Sequence, residues 1–382
     1  MTTTQALSAD QQAAHDAVVA WTKNPTPQIL TLGGLAGTGK TTTIAQIVKT
    51  LRAQQHRDIV FCAFTGKASL VMRKKLDAAA VLNDDYCGTI HGLIYRPRKK
   101  DGKLIWDRVP SIGADLIVLD EASMVDEILL KDLCSYNIPI LAVGDHGQLP
   151  PVSGALNLMA NPAIRLEKIH RQAEGNPIVQ MSMRAREGKG ILCGAYGAVT
   201  KVARRQIAET VDKYPDWFDR AGMVLCGTNN TRNALNHLLR ARRGFHGAHP
   251  QVGERVICLR NQREAELFNG LTGVLRAIEP IIRDEGEAPR YAKATVEIDG
   301  NGTWEGVLRL DQFGNPKTIP SFEKGVALFD WGYAMTVHKA QGSEAPVAIV
   351  FDECSWMESE DLRRRWKYTA YTRAAEQLLI VG

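Results

Sequence analysis

The 382-residue chain has little that would tie it to a membrane, a disulfide framework or a metal cluster. Its seven cysteines are scattered, with no C-x-x-C pair and no Cys/His spacing of a zinc site, which points to reduced thiols in a cytosolic protein. The first residues, "MTTTQALSADQQAAHDAVVAWTKN", lack a basic stretch followed by an apolar one. No run approaches the roughly 20 apolar residues of a membrane span. Low-complexity tracts and short-period repeats are missing too. Charge of one sign is scarce: 47 basic residues nearly balance 42 acidic ones, for a net +5. That balance permits nucleic-acid binding without requiring it. The clusters Arg96–Lys100, Arg240–Arg243 and Arg363–Lys367 each read as a solvated helix or loop face. What the chain does have is 45% hydrophobic residues, enough for large cores, in a length expected to hold two or three domains.

The segment "QILTLGGLAGTGKTTTIAQIVKTL" reads as a short buried strand, a glycine-rich loop and a helix, and Gly34 to Thr41 fits G-x-x-x-x-G-K-[ST] in full. The glycines let backbone N–H groups turn inward around phosphate oxygens, and the helix N-terminus adds its positive dipole end. Gly34, Gly37, Thr38, Gly39, Lys40, Thr41 and Thr42 are the expected contacts to ATP, with Lys40 on the β/γ-phosphates and Thr41 on Mg²⁺. In "ADLIVLDEASMVDE" an apolar strand, Leu116–Leu119, ends in Asp120 and Glu121, where α/β sheets bind ligands. Asp120 is expected to hold the Mg²⁺ shell and Glu121 to orient or deprotonate the attacking water. Together the two segments predict an NTPase.

A third apolar strand, "IPILAVGD", runs into "HGQLPPVSG" and sets Gln148 near a γ-phosphate. "LEKIHRQ" places Arg171 after a short strand, and "YTAYTRAAEQLLIVG" places Arg373 before a terminal strand. Neither arginine fits the first nucleotide-binding sheet without very long connections. They suit a second α/β domain that closes over ATP and offers cationic groups to the transition state, a role worth about 10³–10⁵ in rate.

In order along the chain, "GGLAGTGKT", "AFTGKAS", "TIHGLIY", "VLDEASMVD", "VGDHGQLPPV", "LEKIHRQ", "MTVHKAQGSE" and "YTAYTRA" resemble the motifs of superfamily 1 helicases. Within that superfamily the likeness is greatest to the RecD-like and Dda-like branch, whose members translocate 5′-to-3′ on single-stranded DNA. The resemblance covers nearly the whole chain. It implies that Gln11 reads the adenine and that Gln148, Arg171 and Arg373 sense the γ-phosphate. It also implies that Thr336 and His338 face the DNA strand while Gln341 to Glu344, with Gly342 and Glu344 foremost, face the nucleotide. One segment touching both ligands is the means by which hydrolysis becomes movement, and hydroxyl and imidazole groups bond phosphate oxygens without reading sequence.

On the first domain "FCAFTGKAS" offers Phe64, Thr65 and Lys67, and "CGTIHGLIY" offers Thr89 and His91, as further DNA contacts. Relatives carry Pro where this chain has Phe64, which serves either to stack on a base or to fill the core. In "LIYRPRKKDGKLIWDRVP", Asp101-Gly102 signals a hairpin between two strand-like arms. In relatives a hairpin in this slot is the pin that parts the duplex, and Trp106 is placed to stack on a base at the fork. A surface hairpin with its Trp packed on the body is the alternative.

The expected architecture is α/β, with two RecA-like parallel-sheet domains in tandem. Residues 1–153 form the first, carrying the hairpin pin at 95–109. Residues 154–250 and 331–382 form the second, interrupted by a small β-barrel at 251–330 whose short β-rich runs are separated by Gly, Asn and Pro and include the F-N-G of "ELFNGLTG". The resemblance implies an ATP- and Mg²⁺-dependent DNA helicase of the bacterial or phage-infected cytoplasm. Its partners are single-stranded DNA and duplex forks, with replication or recombination proteins beside them, and it is expected to be a monomer. An RNA helicase, a single-strand translocase that displaces bound proteins, and a subunit of a nuclease complex remain open on the sequence.

Overall fold

The computed structural model describes residues 7–54, 58–100, 103–151, 156–168, 175–262, 265, 267–282, 288–299, 302–320, 323 and 325–382. The chain divides into two compact units, Met1–Gln180 and Met181–Gly382.

The first unit opens with helix α1 (Ala9–Lys23), then β1 (Ile29–Gly34), α2 (Lys40–Ala53), β2 (Ile59–Ala63), α3 (Gly66–Ala78), β3 (Cys87–Thr89) and α4 (Ile90–Ile94). A ribbon of β4 (Tyr95–Lys100) and β5 (Lys103–Arg108) follows, then β6 (Leu116–Asp120), α5 (Glu127–Cys134), β7 (Ile140–Gly144) and β8 (Ile164–Leu166). Six of these strands form one parallel sheet in the order β3-β2-β6-β7-β1-β8. β2 and β7 are buried at every residue, as expected of parallel strands covered on both faces. One face packs under α1, α2 and α3, where Ile44, Ile47, Val48 and Leu51 of α2 recur at the 3–4-residue spacing of a helix stripe and are all buried. Truncating any one of them to Ala would cost about 2–5 kcal/mol. The other face packs under α4 and α5.

β8 corrects the expected domain boundary. The segment 164–166 was assigned to the second domain, yet it pairs in parallel with β1, Leu32 opposite Ile164. The Ala163 N–H donates to the Thr31 hydroxyl at 2.8 Å, and the Lys168 N–H to the Asp10 carboxylate at 3.1 Å. The division falls after Gln180 instead of Ser153, and the segment leading to Arg171 belongs to the first unit; Arg171 itself lies outside the described residues. A three-residue strand carries too little pattern to announce its sheet. The β4–β5 ribbon is antiparallel, from Tyr95 opposite Arg108 to Lys100 opposite Lys103; its Asp101-Gly102 turn is outside the described residues.

The division falls within α6 (Pro177–Arg186), and the second unit goes on to β9 (Gly194–Tyr196), β10 (Val199–Val202), α7 (Ile207–Lys213), α8 (Pro215–Arg220), β11 (Met223–Cys226) and α9 (Asn229–Arg242). Then come β12 (Arg255–Cys258), β13 (Thr272–Ile281), β14 (Tyr291–Ile298), β15 (Thr303–Arg309), β16 (Val326–Ala327) and β17 (Phe329–Trp331). It ends with β18 (Met335–Thr336), α10 (Val337–Ala340), β19 (Ala345–Phe351), α11 (Glu360–Tyr371) and β20 (Ala374–Val381). One sheet, in the order β18-β11-β19-β20-β10-β9, is parallel except for β9. The strands between Arg255 and Trp331 form a separate sheet in the order β16-β15-β14-β13-β12-β17. Its two end strands are consecutive in the chain and separated only by Leu328.

Buried ion pairs tie α9 to this inserted sheet. Arg240, 3% exposed, donates to the carboxylate of the fully buried Glu254 and lies 4.4 Å over the Trp331 ring. Arg232 pairs with Asp330 at 3.3 Å, both buried. Arg240 therefore departs from the solvated face that the composition of its cluster suggests, while Arg242 and Arg243 remain exposed. Nothing in the local sequence announces Glu254 as the partner of Arg240. Among the described residues no helix is long and apolar enough to cross a membrane.

Candidate functional site

The loop between β1 and α2 has the geometry its glycines foretell. Gly37 and Gly39 sit at φ +81° and +78°, a region that side chains with a Cβ rarely enter. The buried Thr38 folds its hydroxyl back onto the Leu35 carbonyl at 2.8 Å, and a Cβ at Gly34 would meet that hydroxyl at 2.5 Å. Lys40 opens α2, and its ammonium donates to the Gly34 and Leu35 carbonyls at 2.7 and 3.1 Å. Thr41 is half-buried and Thr42 exposed in the first turn. Gln11 does not present its whole amide to a base: its oxygen accepts from the Ser8 N–H and its nitrogen donates to the Thr38 carbonyl, both at 3.0 Å. It braces the loop.

The neighbouring strands β7 and β6 bring three acids and a glutamine to the same sheet end. Asp145, buried just after β7, lies 4.0 Å from the Lys40 ammonium and accepts from the Gly147 N–H at 2.8 Å. Gln148 is 5% exposed, and its backbone N–H donates to the Asp145 carbonyl at 3.3 Å. Asp145 was read only as the end of a strand. Its position, an acid at a strand's carboxyl end just ahead of Gln148, was the signal. The Asp120 carboxylate accepts from the Glu121 N–H at 2.9 Å. Burial pushes Asp120 above the usual carboxylate range, with the Glu121 N–H and the charge of Lys40 pulling the other way. Glu121 holds a left-handed backbone at φ +50°, a conformation uncommon for a residue with a side chain and concentrated at functional sites. Among the described residues no cluster of three or more metal-ligating side chains occurs. A hydroxyl and a carboxylate beside a phosphate loop nevertheless suit Mg²⁺, which takes one or two protein oxygens plus phosphate oxygens and water.

At the ends of β2 and β3 the expected strand contacts gather. Thr65 and Thr89 cap their helices, accepting from the Ala68 N–H at 3.1 Å and the Gly92 N–H at 3.0 Å. Lys67 lies in the first turn of α3 and is half-buried. Phe64 packs half-buried against the core beneath α4. His91 and Tyr95 are in tilted ring contact at 5.5 Å. Both line an open cavity of about 600 Å³ with Trp106, Asp107, Arg108 and Asp132. Trp106 is 49% exposed.

In the second unit, Thr336 ends β18 and Glu344 precedes β19. β18 and β19 both run parallel to β11, with Thr336 level with Cys226 at the carboxyl end of the sheet. The nine-residue segment thus travels from the carboxyl end of the sheet to the amino end, roughly 20 Å at about 3.3 Å per residue of β19. His338, partly buried, is held below the usual imidazole range by burial. Gly342 turns at φ +71°, and Glu344 is exposed. Arg373 is 6% exposed and donates to the Ser343 and Thr369 carbonyls, each at 3.0 Å, and to the Thr372 hydroxyl at 3.1 Å. Through the Ser343 carbonyl, Arg373 is bonded to the Gln341–Glu344 turn of its own unit. In the F-N-G turn, Gly270 sits at φ +91°, and a Cβ there would make an ordinary contact with the Lys339 carbonyl of α10 at 3.6 Å.

The parallel sheet and the loop after β1 define the first unit as a P-loop nucleotide-binding domain. Residues 6–210 match the family model described as AAA domain, and residues 332–381 match the UvrD-like helicase C-terminal domain. The ATP-dependent RecD2 DNA helicase of Deinococcus radiodurans is 29% identical over 99% of this chain and 48% of its own length. The RecBCD enzyme subunit RecD of Mycobacterium tuberculosis is 27% identical over 93% of this chain and 66% of its own. Among solved structures, the Pif1 helicase from Bacteroides, in complex with ADP-AlF3 and ssDNA, shares the fold with a TM-score of 0.58 at 16% identity, covering 99% of this chain and 93% of that one. The chain belongs to the superfamily 1 helicases of the RecD-like kind. It spans about half the length of the RecD2 relative.

Proposed function

We propose that the chain is an ATP-dependent helicase or translocase that moves 5′-to-3′ on single-stranded DNA and separates duplex DNA. The observation that carries this reading is the gathering of Lys40, Asp120, Glu121, Asp145 and Gln148 at the adjoining ends of β1, β6 and β7, in a chain of this family. In that arrangement Lys40 exchanges its loop carbonyls for β/γ-phosphate oxygens, while Glu121 orients the attacking water or takes its proton. Thr41 and Asp120 would hold Mg²⁺, which supplies neutralising charge at the phosphates. Gln148 with Arg171 and Arg373 would meet the γ-phosphate, and Gly342 and Glu344 would border the nucleotide. Gln11 would reach the adenine from the position where it braces the loop.

The strand would cross Phe64, Thr65, Lys67, Thr89 and His91 of the first unit and Thr336 and His338 of the second. The segment 336–344 would pass the state of the nucleotide site to that track. The β4–β5 ribbon would act as the separating pin through Trp106, and the inserted sheet, whose ends are bridged by Leu328, would roll into a small barrel. The protein would act as a monomer in the cytoplasm, alongside replication or recombination proteins.

Strand displacement on substrates with only a 5′ or only a 3′ overhang tests the reading. Unwinding confined to the 5′-tailed substrate is expected; displacement from the 3′ tail alone would reverse the polarity. ATP-dependent movement without displacement from either would leave a translocase, and preference for a 5′-tailed RNA duplex would make it an RNA helicase.

A further inference from the structure

The carboxyl end of the second unit's parallel sheet carries a cavity that the reading above leaves unused. About 530 Å³ in volume, it opens where the chain leaves β10, β19 and β20, at Arg204, Asp352 and Gly382. Lys189, Lys201, Arg204, Arg363, Arg364 and Lys367 line it, against the carboxylates of Asp352 and Glu360. Four of the six cations are matched: Lys189 to Glu187, Arg204 to Glu353, Arg364 to Glu360 and Lys367 to Asp352. Among the described residues the other two have carbonyl acceptors. Lys201 donates to the Ile191 carbonyl at 2.9 Å and Arg363 to the Met357 carbonyl at 2.6 Å. The carboxyl ends of parallel strands are where α/β sheets take ligands, and here that place carries surplus positive charge.

The loop that supplies Cys354 and Ser355 to the lining points to the kind of anion that fits. On the loop after β19, Trp356 is 56% exposed, with its indole N–H anchored on the Glu353 carbonyl at 3.0 Å. An exposed aromatic ring beside cations is the pairing that holds single-stranded nucleic acid, phosphates on the charges and a base on the ring. Thr336 ends β18 at the same sheet end. From β18 to β10 is four steps in the strand order, roughly 19 Å at about 4.8 Å per step.

We propose that this cavity is a phosphate site for single-stranded nucleic acid. It extends the track from Thr336 and His338 across the sheet, with Trp356 stacking a base beside it. The proposal rests on the reading of Thr336 and His338 as strand contacts and lengthens their track.

Equilibrium binding of the full chain to oligothymidylates of about 6 and about 16 nucleotides, over a range of salt, tests it. The variant Lys201→Gln/Arg363→Gln is expected to flatten the slope of log K against log salt on the long oligonucleotide by about 1.4, two phosphates at about 0.7 each. The short oligonucleotide should bind it as it binds the wild type. Trp356→Ala, on an exposed side chain that folding does not need, is expected to weaken the long oligonucleotide about tenfold. Wild-type slope and affinity in both variants would overturn the proposal, as would equal loss on both lengths. Failure of the wild type to bind either oligonucleotide would instead remove the strand-track reading itself.

Discussion

The phosphate loop of the first unit and the α9 junction of the second both depend on a half- or fully buried cation, and they hold it in opposite ways. Lys40 bonds two backbone carbonyls, with its nearest carboxylate, Asp145, at 4.0 Å. Arg240 is locked to the buried carboxylate of Glu254 and to the carbonyls of Gly247 and His249. A cation on neutral acceptors can exchange them for phosphate oxygens and gain, because bonds between two charged groups are roughly twice as strong. One paired with a buried carboxylate cannot leave without stranding that charge. Charge alone does not separate a working cation from a structural one. Its acceptors, together with its place at a strand end, do. By that measure Arg373, bonded only to carbonyls and a hydroxyl, falls with Lys40.

Paired substitutions make the comparison breakable. Lys40→Ala should lower ATP hydrolysis by about 10³-fold or more, in keeping with the loss of a principal phosphate contact, and leave the unfolding midpoint close to wild type. Arg373→Ala should likewise reduce turnover by about 10³–10⁵ while nucleotide still binds; a loss of binding with unchanged turnover of the bound fraction would class it with the structural arginines. Arg240→Ala should do the reverse of Lys40→Ala, costing about 3–5 kcal/mol of stability in denaturant titration because Glu254 is left buried and unpaired. Should Lys40→Ala unfold the protein as readily as Arg240→Ala, the distinction drawn from their acceptors fails.

The legible parts of this chain were those whose chemistry is local. Gly34 to Thr41 lies within eight residues, and the acid at the end of β6 is announced by the apolar strand before it, so the glycine loop and the strand-end acid of the proposed nucleotide site could be read directly. The inserted sheet was visible as short β-rich runs, and the ribbon at 95–108 through its Asp-Gly turn signal. Contacts made over long sequence separation stayed hidden. β8 has three residues and finds its sheet through β1, more than 130 residues earlier. Glu254 reaches Arg240 only after the chain turns away from α9, and Gln11 reaches Thr38 only because α1 packs beside α2. Asp145 was read as punctuation because its partner, Lys40, lies over a hundred residues away.

Trp106 sharpens the contrast between the two units on a smaller scale. Half-exposed on the β4–β5 ribbon, with His91 and Tyr95 lining the same cavity, it is available to a base in a way that the buried Trp366 is not. A stacking contact is worth about 1–3 kcal/mol, near the ~1.4 kcal/mol that separates one base pair. Trp106→Ala should therefore slow unwinding of a 5′-tailed duplex about tenfold while single-strand-stimulated hydrolysis stays at the wild-type rate. Equal losses in both assays would move Trp106 from the fork to the track.

Lys339 stands between the two classes, and its effect appears only as a dependence on pH. Burial and the charge of Arg232 push its ammonium down to about 8, with Asp330 and the thiol of Cys258 pulling weakly the other way. Below pH 8 the group is charged both folded and unfolded, and the cost of burying that charge is constant. Between about 8 and its ordinary value near 10.5 the folded protein releases the proton first, so the unfolded chain binds more protons and stability rises with pH. Measured against Lys339→Met, which has no charge to bury, the wild type should gain in denaturant midpoint from pH 7.5 to pH 10. The difference cancels the opposing titration of buried thiols and phenols common to both proteins. Parallel curves would mean that the Lys339 ammonium keeps its water in the folded state, and that the segment joining Thr336 to Glu344 is looser than its packing against Gly270 implies.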